Sequence, residues 1–300
     1  MAMLHSPSEF VSRRTFLAGV AATAVLAACG SGSDDDTAST SAGGDGPTIE
    51  PGTYTLAQRF PQDVQEPGLL RLPVSLAGAG GALLSDGPAT LGAQVTDLDG
   101  APIGERFTAV RRDLEGGAYY AFRTTVDTPG FYYLVVDGGP AEGAAFQVME
   151  PGTVAVPGRG QPLPPFDTPT IDDARGVDPL CTRQPDICPF HEITLTEALA
   201  TGKQVVYLIG TPAFCQTGTC APALESIIDV NDAYADRYVF VHAEVYTDDT
   251  ASVQAPAVDA ANLRFEPVLF ITDADGTVVE RLDAIWNESE LVEVLDAASA

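Results

Sequence analysis

The chain has 300 residues, a soft indication of two domains, and 45% of them are hydrophobic, which is enough for ordinary cores. Its 15 basic and 42 acidic residues give a formal net charge of -27. Phosphate backbones and anionic lipid repel such a charge, so we expect no nucleic-acid partner, and the acidity is typical of a solvated surface that keeps an exported protein soluble.

The first 29 residues have the pattern of an export signal. Arg13 and Arg14 precede an apolar run, Phe16 to Ala28, that is too short for a comfortable membrane span and is typical of a signal peptide. "SRRTFL" resembles the twin-arginine export signal, and "LAAC" resembles a lipobox. The resemblance implies a signal peptide over residues 1–29, lipidation of Cys29 and anchoring to the outer face of the cytoplasmic membrane. An uncleaved or ordinarily cleaved signal is the alternative.

Residues 30–50 are predicted to be a disordered tether. The stretch "GSGSDDDTASTSAGGDGPT" is rich in Gly, Ser, Thr and Asp and lacks large apolar side chains. It cannot bury a core, and a flexible segment here would hold a lipid-anchored protein away from the membrane.

Residues 51–150 are predicted to form an all-β sandwich domain. Runs such as "LLRLPVSLA", "AYYAFRTTV" and "FYYLVVDGG" are strand-like, and Asp-Gly and Pro-Gly pairs separate them. About seven short strands over such a length favour a β-sandwich. Gly130-x-Tyr132 ahead of an apolar strand resembles the tyrosine corner of immunoglobulin-like domains. The expected role is that of a spacer or of a partner-binding module, and the sequence leaves both open.

Residues 151–180 are predicted to be a proline-rich linker. The stretch from Glu150 to Pro179 carries seven prolines, so we expect an extended segment that is poor in regular structure.

Helices and strands alternate over residues 181–300. Thr194 and Glu197 form a capping-box pattern before a short helix, and Asn287 and Glu290 form another before the closing helix. Between them come the buried-strand run "QVVYLIG", the amphipathic helix "APALESIIDVNDAYAD", the strand "YVFVHAEVY" and the hairpin "PVLFITDADGTVVERL".

This order of elements resembles the α/β thioredoxin fold. The resemblance covers about residues 181–300, one small domain. By resemblance, Cys215 corresponds to the first active-site cysteine, Cys220 loosely to the second, and Pro267 to the cis-proline that faces them. Phe214 stands where the family usually has Trp. The family implies thiol–disulfide chemistry with Cys215, Cys220 and Pro267 as the site.

The spacing of the two cysteines departs from the family's C-x-x-C motif. Five residues apart in one helix, the side chains diverge and are separated by a rise of about 7.5 Å, too far for a disulfide. A Cys215–Cys220 bond therefore requires Cys215 to lie in a loop before the helix, which Gly218 permits. Thr217 or Thr219 is expected to cap that helix. Which sulfur attacks stays open, and the strand "VVYLI" lacks the buried acid that thioredoxins often carry.

Four cysteines follow Cys29 and allow three pairings. An exported protein meets an oxidising compartment, so disulfides are expected. We favour Cys181–Cys188 as a structural clip and Cys215–Cys220 as the exposed pair.

Three functions are weighed. The first is a thiol–disulfide oxidoreductase, or a relative of one, acting on the thiols or disulfides of exported proteins, with Cys215 attacking or being attacked, Cys220 resolving and Pro267 shaping the substrate groove. The second is a non-catalytic binding module in which both pairs are structural, since a fold does not imply a function.

The third function is copper(I) handling by Cys215 and Cys220 with His242 or His191, because thiolates and imidazole suit that ion. No other metal site and no organic cofactor is predicted.

Overall fold

The computed structural model describes residues 49–298, so the predicted signal peptide and residues 30–48 of the predicted tether lie outside the described residues. Within that range, the first seven strands are antiparallel to their neighbours. They are β1 (Thr55–Gln58), β2 (Gly68–Ala77), β3 (Thr90–Thr96), β4 (Pro102–Leu114), β5 (Gly117–Val126), β6 (Gly130–Val136) and β7 (Ala144–Val148).

The long strand β4 joins two halves of this sheet, whose strand order is β1-β2-β5-β4-β3-β6-β7. Its residues 102–110 pair with β3, and its residues 111–114 pair with β5. Apolar side chains from both halves pack into one core, as in a β-sandwich; they include Leu72, Val74, Phe122, Val95, Leu134 and Phe146.

The predicted tyrosine corner has the geometry that defines the motif. Tyr132 donates a hydrogen bond from its hydroxyl to the carbonyl oxygen of Thr128, four residues upstream, at 2.8 Å. A Cβ at Gly130 would lie 3.3 Å from that hydroxyl, so a glycine at this position leaves room for the Tyr132 side chain. The bond fixes the entry into β6, as it does at the corner of an immunoglobulin-like sandwich.

The second part of the chain forms a four-stranded sheet with helices on both faces, in the strand order β11-β10-β8-β9. Its elements are α1 (Leu195–Leu199), β8 (Gln204–Ile209), α2 (Cys220–Tyr234), β9 (Tyr238–Ala243), α3 (Pro256–Ala260), β10 (Val268–Thr272), β11 (Val278–Asp283) and α4 (Glu288–Ala297). Strands β8 and β9 are parallel, joined by α2, and the other pairs are antiparallel. This element order agrees with the thioredoxin-like fold that the resemblance implies.

Strand β8 is a run of buried, mostly aliphatic side chains after Gln204, as is typical of a strand whose two faces are both covered. Val206 and Leu208 pack in the core beneath α2 and α4, which also contains Leu224 and Leu291. The alternate residues of β8 pack on the opposite face with α1 and α3; they are Val205, Tyr207 and Ile209. The buried strand holds the loop that follows it in a fixed position.

The two predicted capping boxes differ. Thr194 and Glu197 form a complete box, since each side chain accepts from the other residue's backbone N–H, at 3.1 and 2.8 Å. Asn287 accepts from the backbone N–H of Glu290 at 3.1 Å, but the Glu290 carboxylate does not return to Asn287. The carboxylate instead accepts hydrogen bonds from two partners on the seven-stranded sheet, and Arg123 of the same sheet lies 3.6 Å from it.

Those partners are Arg71 on β2 and Tyr119 on β5. Arg71 makes a two-fold contact with the carboxylate of Glu290, at 2.8 Å for both nitrogen–oxygen pairs, and Tyr119 donates to it at 2.7 Å. The Arg71 and Glu290 side chains are 5% and 2% exposed. Burial opposes ionisation of Glu290, but the attraction of the Arg71 guanidinium outweighs it and lowers the pKa of Glu290 to about 2. This buried ion pair joins the seven-stranded sheet to helix α4 within one compact unit.

The predicted linker is extended and packs against β11. No helix or strand is assigned between β7 and α1 in this described stretch. Gly160 donates to the carbonyl of Val278, and Val278 donates to the carbonyl of Gln161, at 2.8 and 2.9 Å. Val156 and Leu163 are buried in the core on the α1 and α3 side. The segment is therefore packed against the four-stranded sheet and contributes side chains to its core.

No helix among residues 49–298 is both long and apolar enough to span a membrane.

Candidate functional site

The two-cysteine loop begins where β8 ends. Gly210 and Thr211 continue from the buried strand, and α2 begins at Cys220 with Thr219 at the N-cap. The Thr219 side chain makes no capping bond to the helix, although it lies 2.7 Å from the Thr217 hydroxyl. The cap predicted for Thr217 or Thr219 is therefore not made by a side chain.

Cys215 and Cys220 form a disulfide with their Cα atoms 5.9 Å apart. Cys215 lies in the loop before the helix, and Gly218 has a φ of 69°, a conformation that favours glycine. The N–H of Gly218 donates to the carbonyl of Cys215 at 3.1 Å and closes the turn. The disulfide across the wide spacing therefore forms as expected: only Cys220 is in the helix, and Cys215 lies in the non-helical loop before it.

The two sulfurs differ in access. Cys220 is fully buried, whereas Cys215 is half-buried. The sulfur of Cys215 also accepts from the backbone N–H of Cys220 at 3.3 Å and lies 3.2 Å from the Thr217 hydroxyl. A helix N-terminus stabilises a thiolate, so Cys215 combines access with stabilisation of the charged sulfur. The structure thus distinguishes a reachable sulfur from a buried one.

Pro267 lies across from the disulfide. The Glu266–Pro267 peptide bond is cis, as the resemblance implies. A Cβ placed on Gly210 would be 3.2 Å from the Cβ of Pro267 and 3.7 Å from the Cβ of Cys220. Gly210 therefore allows the chain just after β8 to pass closely between the proline and the buried cysteine.

The residue before this proline, Glu266, is the member of the site that sequence reasoning missed. Its carboxylate oxygen lies 3.4 Å from the sulfur of Cys220 and accepts from the backbone N–H of Thr211 at 3.1 Å. Burial raises the pKa of Glu266 to about 7. The strand "VVYLI" carries no acid, but a carboxyl group reaches Cys220 from the segment that carries the cis-proline. Its position beside Pro267 in "EPVLF" was the available signal.

Cys181 and Cys188 are free thiols in the structure, which differs from the predicted disulfide between them. Their sulfurs lie 3.8 and 3.3 Å from the Nδ1 atom of His242, whose same nitrogen lies 3.2 Å from the Nε2 atom of His191. All four residues are buried. The disulfide was predicted from the even number of cysteines, without knowledge of their surroundings. In the fold, each of the two sulfurs faces the imidazole ring of His242.

His242 belongs to this second cluster, so the structure does not bring together the copper(I) set of Cys215, Cys220 and His242. Cys215 and Cys220 lie close to Glu266. His242 lies close to His191 and to the other two cysteines, Cys181 and Cys188. His191, the alternative histidine of that hypothesis, is likewise in the second cluster.

A short polar network lies between the two cysteine pairs. The Thr182 hydroxyl accepts from the backbone N–H of Ala213 at 3.1 Å, lies 3.4 Å from the Thr211 hydroxyl, and donates to the buried Glu244 carboxylate at 2.9 Å. Burial raises the pKa of Glu244. Thr182 therefore fixes the start of the two-cysteine loop to the segment that carries Cys181.

No protein-family model matches the chain, and no curated protein matches it. Among solved structures, a thioredoxin-family thiol:disulfide interchange protein from Chlorobium tepidum is similar at 16% identity with a TM-score of 0.34, over 47% of this chain and 98% of that one. The CARDB domain of a Pyrococcus furiosus protein is similar at 18% identity with a TM-score of 0.19, over 35% of this chain and 94% of that one. Both similarities are too weak to indicate an activity, so the chemistry of the site carries the functional conclusion.

Proposed function

We propose that this chain catalyses thiol–disulfide exchange through Cys215 and Cys220 on exported proteins, from a lipid anchor at Cys29 on the outer face of the cytoplasmic membrane. The observation that carries the exchange activity is the asymmetric disulfide. One sulfur is reachable in a loop, and the other is buried at the start of a helix, beside Glu266 and across Gly210 from Pro267.

Exchange begins at the reachable sulfur. A substrate thiolate attacks the sulfur of Cys215, a bond forms between them, and the Cys215–Cys220 bond breaks with its electron pair leaving on Cys220. Glu266, with its oxygen 3.4 Å from that sulfur, delivers a proton to it when the carboxyl is neutral. The products are a mixed disulfide on Cys215 and a buried thiol at Cys220.

The second step completes the exchange. A second substrate thiolate attacks the substrate sulfur of the mixed disulfide, and Cys215 leaves as a thiolate that the Cys220 N–H stabilises. The substrate gains a disulfide and the protein is left with two reduced cysteines, so two electrons pass to the protein. The same steps in reverse reduce a substrate, with the Glu266 carboxylate accepting the proton of Cys220.

The seven-stranded sheet borders the approach to the redox loop. The turn Glu115–Gly117, between β4 and β5, lines a cleft together with the loop residues Thr217–Thr219 and with Trp286. A partner that reaches Cys215 along this cleft would touch both parts of the chain. The cleft supports a role for the sandwich in holding the partner.

The anchoring rests on the signal-like sequence. "SRRTFL", "LAAC" at Cys29 and the Gly- and Ser-rich segment after it occur in the order that an exported lipoprotein requires. Metabolic labelling with a fatty acid should mark the wild-type chain and leave Cys29→Ala unlabelled. Equal labelling of both would exclude Cys29 as the anchor.

Trapping tests the activity. In Cys220→Ser, the sulfur of Cys215 should accumulate a mixed disulfide with a disulfide-bonded model peptide, because the resolving sulfur is gone. The matched Cys215→Ser variant, which keeps only the buried sulfur, should trap none. Equal trapping by both variants, or by neither, would contradict the assignment of Cys215 as the reactive sulfur.

A further inference from the structure

Four potential metal ligands converge inside the second sheet's domain, away from the disulfide. The sulfurs of Cys181 and Cys188 and the ring nitrogens of His191 and His242 all lie within 4.8 Å of one another, and all four side chains are buried. We propose that these four residues bind one zinc ion in a closed structural site.

The distances between the ligand atoms fit a tetrahedral ion. With Zn–S at about 2.3 Å and Zn–N at about 2.05 Å, a tetrahedron places sulfur and nitrogen about 3.6 Å apart and two nitrogens about 3.4 Å apart. The sulfurs of Cys181 and Cys188 lie 3.8 and 3.3 Å from His242 Nδ1, and the two imidazole nitrogens lie 3.2 Å apart. The three distances at His242 Nδ1 therefore match the zinc values to within a few tenths of an ångström, and the other ligand atoms lie within 4.8 Å of one another.

His242 has the orientation of a metal ligand. Its Nε2 atom lies 2.9 Å from the carbonyl oxygen of Gly210, which only accepts hydrogen bonds. Nε2 therefore carries a proton, and in the neutral imidazole Nδ1 presents its lone pair to the two sulfurs. Metal-bound imidazoles are commonly fixed in this way, with the second ring nitrogen donating to a carbonyl.

Neither free thiols nor a disulfide accounts for the whole cluster. The single lone pair of His242 Nδ1 has three polar neighbours, and it accepts one hydrogen bond. The Nδ1 atom of the buried His191 has no hydrogen-bond partner, and its Nε2 atom points into the cluster. A Cys181–Cys188 disulfide would use the sulfurs, leave the two buried imidazoles bonded to each other, and still leave His191 Nδ1 without a partner.

Charge favours a divalent ion over copper(I). Zinc with two thiolates is neutral, whereas copper(I) with two thiolates leaves a net negative charge in a buried site. The buried Glu244, bonded to the backbone of Thr182 next to Cys181, would add to that negative charge. The closed set of two sulfurs and two nitrogens has no open position for a substrate, as in structural zinc sites.

Zinc here would tie together segments that regular structure leaves unconnected. Cys181, Cys188 and His191 come from an irregular stretch, and His242 lies on β9. Through the carbonyl of Gly210, His242 also supports the chain beneath Cys220 and Pro267. The site would thus fix the floor of the redox site without taking part in exchange.

Metal content of the purified full-length protein tests the proposal. We expect about one zinc per chain in the wild type and in Cys215→Ser/Cys220→Ser, and less than about a tenth of that in Cys181→Ser/Cys188→Ser. X-ray absorption on the wild-type protein should give two sulfur and two nitrogen neighbours. This measurement keeps the test valid if the Cys181→Ser/Cys188→Ser variant fails to fold.

Three results would overturn the proposal. One is a Cys181–Cys188 disulfide in non-reduced, zinc-supplemented wild-type protein that holds no metal. Another is loss of zinc in Cys215→Ser/Cys220→Ser, which would place the ion at the redox pair. The third is stoichiometric binding of copper(I) with no binding of zinc. The first and third results would leave the proposed exchange activity untouched, since a different cysteine pair carries it, whereas the second would count against both proposals.

Discussion

Replacement of Glu266 by Gln tests how the buried cysteine exchanges its proton. The Glu266 oxygen lies 3.4 Å from the sulfur of Cys220, and burial raises the pKa of the carboxyl to about 7. Below that pH the neutral carboxyl donates a proton to the departing sulfur, which typically contributes about 10²-fold or more to a rate. The amide that Glu266→Gln introduces is a poor proton donor, so opening of the disulfide by a model thiol should be slower in the variant at low pH.

Above the pKa the effect reverses in sign. The Glu266 carboxylate then opposes a thiolate forming 3.4 Å away, by about 1 kcal/mol in water and about 5 kcal/mol at an effective dielectric constant of about 20. The lower figure alone is close to tenfold in rate. Removing the charge should therefore make the variant faster than the wild type at high pH.

Stopped-flow measurement of disulfide opening, from about pH 5 to about pH 9, gives the ratio of wild-type to variant rates. The titration of the model thiol cancels in that ratio. We expect the ratio to exceed one at low pH, to fall through one near the Glu266 pKa of about 7, and to stay below one thereafter. Glu225→Gln, on helix α2 and paired with Arg183, is the control and should give a flat ratio. A flat ratio for Glu266→Gln would refute the proton-transfer role.

Other substitutions probe the packing around the site and the contact between the sheets. Gly210→Ala places a Cβ 3.2 Å from the Cβ of Pro267, so it should lower the free energy of unfolding by about 1–3 kcal/mol and slow disulfide exchange. If neither the stability nor the exchange rate changes, this close approach is not needed. Glu290→Gln breaks the buried ion pair with Arg71 and should lower the free energy of unfolding, measured in urea, by about 3–5 kcal/mol. The control Glu293→Gln should lower it by less than about 1 kcal/mol, because the Glu293 side chain is 62% exposed. Because the pKa of Glu290 is lowered to about 2, the stabilisation from its ion pair is present above the ordinary glutamate pKa of about 4.5 and is lost as the pH falls toward 2. The unfolding free energies of the wild type and of Glu290→Gln should therefore converge in acid. A difference that stays constant with pH would contradict this reasoning.

Local patterns predicted the elements around the site. Strand β8 was readable because a continuous apolar run has no polar face, and the structure shows it covered on both sides. The loop before α2 was predictable from the rise and rotation of a helix, which forbid a disulfide across five helical residues. Gly218 has the positive φ that such a loop was expected to use.

The chemistry contributed by distant residues was not readable. Glu266 is 46 positions from Cys220, and only the fold brings them together. Glu290 had the position of a capping-box residue, but Arg71, 219 positions away, binds its carboxylate with an ionic contact that a cap cannot match. Local sequence rules rank local partners, and a buried long-range ion pair overrides them.

The second cysteine pair shows a related limit. An oxidising compartment and an even number of cysteines favoured a Cys181–Cys188 disulfide. That reasoning did not include His191 and His242, 51 positions apart, whose ring nitrogens meet at the sulfurs. The spacing of Cys188 and His191 in "CPFH" was the local signal that these two side chains could converge.

The most direct test of the account is the rate at which the purified protein catalyses exchange with a fluorescent, disulfide-bonded peptide in a glutathione buffer. The account predicts multiple turnovers for the wild type and only the uncatalysed buffer rate for Cys215→Ser. Turnover that survives in Cys215→Ser, or a wild-type rate equal to that of buffer alone, would contradict it.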